Sequence, residues 1–109
     1  MGVVEDYFRL TEQYKAEYGE KTILLMQVGS FFEVYGMKNE DGTHSGSSID
    51  DFSLICEMLI ANKNTTHNQK KVVMAGFGII VLDKNVRKLQ DNGYTIAIYE
   101  QDTPAKNTT

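Results

Sequence analysis

The residues with the strongest chemical signature are Phe31 and Glu33, in the run Gly29-Ser30-Phe31-Phe32-Glu33. If the chain stays extended there, alternate side chains share a face. Phe31 and Glu33 then stand side by side on one surface, while Phe32 and Val34 turn to the other and serve the core. Such a pair offers an aromatic ring that can stack and a carboxylate that can accept a hydrogen bond. The same pattern also fits a core phenylalanine followed by a solvated glutamate at a strand end, and the bare pattern favours that more ordinary outcome.

Other chemistry is thinly represented. His44 and His67 are far apart, and no Cys–His cluster has zinc spacing. No nucleophile is paired with a general base, and no phosphate-binding lysine motif occurs. Gly76-Phe77-Gly78 is a fragment of a glycine-rich pattern, read more simply as a tight turn from strand to helix. Asp50 and Asp51 could be metal ligands, but two carboxylates in the first turn of a helix are already accounted for by its dipole.

The elements that must position Phe31 and Glu33 follow from periodicity. Val4, Tyr7, Phe8, Thr11, Tyr14 and Tyr18 recur at helical spacing, which predicts an amphipathic helix over Val3 to Tyr18 stopped by Gly19. Thr22 to Val28 is a short apolar run that predicts a buried strand, with Gly29 behind it. Phe31 to Tyr35 continues extended, and Gly36 is expected to end it. Met37 to Ser48 is rich in Asn, Asp, Gly and Ser and reads as an exposed turn or loop, Met37 included. Ser47 or Ser48 can cap a helix from Ile49 whose apolar face is Ile49, Phe52, Ile55, Cys56 and Leu59, although Met58 to Ala61 could instead be a strand. Asn62 to Lys71 is polar and expected to be the most mobile stretch. Val72 to Met74 reads as a short strand. Leu82, Val86 and Leu89 mark a third helix closed by Asn92-Gly93, and Tyr94 to Tyr99 a last strand. The sum is an α+β fold, a small mixed β-sheet packed by about three α-helices. Residues 1–102 read as one domain, and 103–109 as the start of a connector to a following domain.

Composition sets limits on function. A chain of 109 residues with 41% hydrophobic and 24% charged residues is globular and fits one domain. The net charge of −4 argues against a self-sufficient nucleic-acid binder, because phosphate binding needs clustered Lys and Arg. It leaves room for one local contact made while other domains hold the DNA. Cys56 is the only cysteine, so an internal disulfide is impossible and a reducing, intracellular location is expected. Neither an apolar signal core near Met1 nor a run of membrane-spanning length is present in the sequence. Without export, the glycosylation triplets at Asn64 and Asn107 are chance matches.

Gly29-Ser30-Phe31-Phe32-Glu33-Val34-Tyr35 resembles the Gly-x-Phe-Tyr-Glu signature of the MutS mismatch-repair family. Tyr7-Phe8-Arg9-Leu10 and Ile23-Leu24-Leu25-Met26-Gln27-Val28 resemble that family's opening helix and first strand. Met74-Ala75-Gly76-Phe77, the helix up to Asn92-Gly93, and Tyr94 to Gln101 resemble the later part of its first domain. The match runs in order over nearly the whole chain, and the variant around Gln27 to Gly36 is most similar to the giant-virus and organellar branch. Phe32 stands where Tyr is frequent, and Gly78 where many members have Pro. The stretch from Met37 to Lys71 matches poorly.

The resemblance implies a non-catalytic, mismatch-recognising domain I. It implies that Phe31 enters the minor groove and stacks on a mispaired base, and that Glu33 accepts a hydrogen bond from that base. Gly29, Ser30 and Phe32 would support the motif. The implied partners are double-stranded DNA with mispairs or small loops and the remaining domains of the same chain. The implied parent is a dimeric ATPase that binds ATP and Mg outside this domain, with no metal or cofactor in the domain itself. Lys63, Lys70 and Lys71 are candidates for phosphate contact, among which the sequence does not choose. Two other readings compete. One is a protein-interaction module without a nucleic-acid role, suggested by the acidic balance. The other is a metal-dependent nuclease built on Glu33, Asp50 and Asp51, which lacks recognised ligand spacing.

Overall fold

The computed structural model describes residues 2–100. The proposed connector at 103–109 therefore lies outside the described residues. Helix α1 (Val3–Tyr18) has the predicted limits, and Gly19 ends it with a positive φ of 111° that favours glycine. Strand β1 (Thr22–Val28) is the apolar run, and its first five residues are buried. Strand β2 (Phe31–Lys38) is longer than expected. It runs through Gly36, which pairs with Val73 and is glycine because a side chain there would strike Ile49: a Cβ would lie 2.7 Å from Ile49 Cγ2. Instead of opening into a loop, the chain pairs Met37 and Lys38 with the short strand β3 (His44–Ser45). Met37 is half-buried against the core rather than exposed.

Helix α2 (Ile49–Cys56) starts after Ser48, whose side chain makes no capping hydrogen bond. It stops at Glu57, in the left-handed region with φ of 59°. Leu59 thus falls outside the helix and is 92% exposed, not part of the apolar face. The polar stretch expected to be mobile forms a hairpin of β4 (Ala61–His67) and β5 (Lys70–Gly78). Asn68 and Gln69 both take positive φ at its tip, as a two-residue turn between twisted strands requires. Gly76-Phe77-Gly78 lies within β5 and is not a turn. The turn is a short 3₁₀ segment at Ile79–Val81 that leads into α3 (Leu82–Asp91). Strand β6 (Thr95–Tyr99) completes the chain described.

The sheet has six strands with a main path β4-β5-β2-β1-β6, and β3 extends the end of β2. Among the described residues only the β1–β6 pair is parallel, which makes the sheet mixed. The fold is the expected α+β architecture, with three α-helices among the described residues. Because paired residues share a face, Phe31, Glu33, Tyr35 and Met37 lie with Gly78, Gly76, Met74 and Val72 on one side. Helix α1 covers that side at Tyr35, where the Tyr7 and Tyr35 rings meet edge to face at 5.1 Å. Helix α2 covers the other side, where Phe52 stacks on Phe77, the cross-strand partner of Phe32. Burial pushes the Cys56 thiol up to about 11, so at neutral pH it is an uncharged apolar filler rather than a nucleophile.

Candidate functional site

The site is the part of the α1 side that α1 leaves open. Val28 and Phe31 flank a two-residue turn and pair directly. Gly29 takes φ of 62° at the first turn position, which a side chain would resist. The Ser30 carbonyl accepts a hydrogen bond from the Ile79 amide at 2.8 Å, which fastens the turn to the end of β5. Phe31 is thus held on a doubly anchored backbone, yet 54% of it is exposed. Its neighbours Phe32 and Val34 are fully buried on the opposite side. The alternation places Phe31 and Glu33 on one face as the sequence predicts.

Glu33 differs from the free carboxylate that pattern suggests. Its side chain is only 12% exposed, and Lys63 Nζ lies 3.8 Å from Oε1. The Tyr35 hydroxyl donates to the same oxygen at 2.5 Å. Lys63 also sits over the Tyr35 ring, 5.2 Å from its centre. Burial first, and the adjacent Glu33 carboxylate second, hold the Tyr35 phenol well above its ordinary range, so it stays a proton donor. Tyr35 is two residues on, hence on the same face, and was readable from sequence on that ground alone. Lys63, a candidate for phosphate contact in the sequence, is instead turned toward Glu33, and only the hairpin brings it there. Lys70 lies at the far hairpin end, bonded to Asn39, and Lys71 pairs with Lys38 there.

Two glycines floor the site. Gly76 stands opposite Glu33 and Gly78 opposite Phe31. A Cβ on Gly76 would lie 2.7 Å from the Phe32 carbonyl oxygen and 3.1 Å from Glu33 Cγ. Gly76→Ala is therefore expected to cost about 1–3 kcal/mol. At roughly 4–8 °C per kcal/mol for a domain of this size, the melting temperature of the chain should fall by several degrees at least. An unchanged melt would show that the strand yields freely at this point.

The carboxylates of the nuclease reading do not converge. Asp50 bonds His44 Nδ1 at 2.7 Å and Asp51 accepts from the Tyr94 hydroxyl. Both lie on α2, across the sheet from Glu33. Among the described residues, no group of three or more His, Cys, Asp or Glu is placed to hold a metal ion. No helix among them is long and apolar enough to cross a membrane.

Comparison with known proteins gives a consistent result. The family model for MutS domain I matches residues 2–109. The DNA mismatch repair protein MutS of Lactobacillus delbrueckii subsp. bulgaricus is 28% identical over 99 residues, which is 91% of this chain and 10% of that protein. A DNA mismatch repair protein mutS homolog of Acanthamoeba polyphaga mimivirus is 26% identical over 97 residues, 87% of this chain and 8% of that protein. The chain spans about a tenth of the length of the curated relatives it matches.

Proposed function

The chain belongs to the MutS domain I family, and from that premise we propose that it is the mismatch-reading module of a longer DNA mismatch-repair protein. Phe31 enters the minor groove and stacks on a mispaired base, and Glu33 accepts a hydrogen bond from that base. The observation that carries this reading is the half-exposed Phe31 ring on an anchored turn, beside the Glu33 carboxylate and above two bare glycines. An apolar wedge kinks the duplex at a cost of a few kcal/mol per step. A mispair is already weakly stacked and costs less to open, so deformability is read as energy without a base-sequence code.

The chain carries a net charge of −4, so the affinity comes from other domains of the same protein. In the same reading, residues 103–109 lead on into the next of those domains, and the ATP and Mg that power the cycle bind elsewhere in the parent, which acts as a dimer. The carboxylate of Glu33 repels phosphates of any duplex, whereas its hydrogen bond requires a reachable base, so matched DNA bears the penalty without the gain.

This reading is tested on the full-length protein with Glu33→Ala. The change removes a repelling charge and releases Lys63 from its ion pair. Affinity for matched duplex is expected to rise severalfold while discrimination falls. The change should also lower the melting temperature, because the buried Tyr35 hydroxyl loses its acceptor at a cost of about 1–3 kcal/mol. Parallel titrations of matched and mismatched duplex at one stated salt concentration measure both affinities. Unchanged discrimination would remove Glu33 from the recognition step.

A further inference from the structure

The two partners of Glu33 leave its carboxylate asymmetric. The Tyr35 hydroxyl, at 2.5 Å, and the Lys63 ammonium, at 3.8 Å, both address Oε1. Oε2 has no partner among the described residues. The Tyr35 ring is itself immobilised: it is fully buried and packed edge to face against Tyr7. Tyr7 is in turn pinned to the sheet by its own hydroxyl, which donates to the Leu24 carbonyl at 2.9 Å. Helix α1 therefore fixes a tyrosine that fixes a glutamate, and the glutamate lies at the edge of the open surface. The glycine opposite, Gly76, leaves no side chain against which Glu33 could otherwise be steadied.

We propose that Tyr35 is a positioning residue for mismatch reading: by donating to Oε1 it holds Glu33 in one orientation and leaves Oε2 as the acceptor offered to the base. The inference rests on the role assigned to Glu33 above. A carboxylate held in advance loses less freedom when it binds, and a fixed oxygen selects for a donor at one place on the base edge. An acceptor free to rotate would meet donors over a wider arc and would discriminate less.

The test is Tyr35→Phe in the full-length protein. The ring and its packing on Tyr7 are kept and one oxygen is lost. Mismatch discrimination is expected to fall about ten-fold, the order expected for losing a hydrogen bond to a charged group. Because Tyr35 acts through Glu33, the same change made in a Glu33→Ala background should leave discrimination where Glu33→Ala alone put it. Tyr94→Phe is the control, removing a hydroxyl bonded to Asp51 of α2, away from Glu33. It should lower the melting temperature without moving discrimination. If Glu33→Ala reduces discrimination and Tyr35→Phe does not, the positioning role is wrong while the role of Glu33 stands. If Tyr35→Phe costs as much in the Glu33→Ala background, Tyr35 is merely structural and the proposal is overturned. If Glu33→Ala itself leaves discrimination intact, both readings fall together.

Discussion

Replacing Phe31 by alanine is expected to abolish mismatch preference in the full-length protein while barely moving the melting temperature of the 109-residue chain. The ring is 54% exposed, so its loss removes little buried area. A surface change of this kind costs within about 0.5–1 kcal/mol of stability. Stacking of a base on an aromatic ring is worth about 1–3 kcal/mol. Losing it should weaken binding to mismatched duplex by roughly 5- to 150-fold, toward the affinity for matched duplex, which never used the ring. Thermal melts of the chain, paired with matched and mismatched titrations of the full-length protein, measure the two halves separately. Should Phe31→Ala instead destabilise the chain by several kcal/mol, the ring belongs to the core and the wedge must be sought elsewhere.

The adjacent residue should behave in the opposite way. Phe32 is 1% exposed and packs near Phe77, which stacks in turn on Phe52. Truncation to alanine empties space between the sheet and α2, where neighbours held by strand pairing cannot close in. Such changes cost about 3–5 kcal/mol. At roughly 4–8 °C per kcal/mol, the melting temperature should fall by more than ten degrees. Any loss of DNA binding by Phe32→Ala should then track the folded fraction and be recovered at lower temperature, unlike that of Phe31→Ala. Two neighbouring phenylalanines with a stability phenotype in one and a recognition phenotype in the other would be difficult to obtain from any arrangement except alternation across a strand. A Phe32→Ala chain as stable as the parent would contradict the assignment of faces.

Much of this fold is legible in the amino-acid sequence. Helices α1 and α3 follow from apolar periodicity with Gly19 and Gly93 as stops, strand β1 from its buried apolar run, and strand β6 from its strand-forming composition, although none of its residues is fully buried. The middle of the chain was not legible, and the reasons are physical. Strand β4 reads Ala-Asn-Lys-Asn-Thr-Thr-His and is largely exposed at the sheet edge, so it carries no alternation to detect. What makes it a strand is pairing with β5, a relation set by the hairpin rather than by its own residues. Gly36 and Gly76 read as breakers because glycine weakens isolated strands. Here each sits where a neighbour presses too close for a side chain, at Ile49 and at the Phe32 carbonyl. The same gap concealed half of the site. Phe31 and Glu33 were visible from spacing, and Tyr35 shares their face. Lys63 is thirty positions from Glu33 (63 − 33) and reaches it only because the unrecognised hairpin brings β4 alongside.

The pairing of β1 with β6 also bears on how the domain is made. Thr22 aligns with Thr95 and Met26 with Tyr99, so the outer neighbour of the most buried strand is separated from it by 73 positions (95 − 22). A chain emerging from the ribosome presents the apolar run Thr22 to Val28 long before its partner exists. Until residues up to Tyr99 are free to fold, β1 has an unpaired apolar edge, the kind that adds strands from other molecules. Closing so long a loop is slow relative to forming local helices or the β4–β5 hairpin. Synthesis of the domain therefore passes through an interval in which its most buried strand is also an aggregation hazard, relieved only once Thr95 to Tyr99 has been translated.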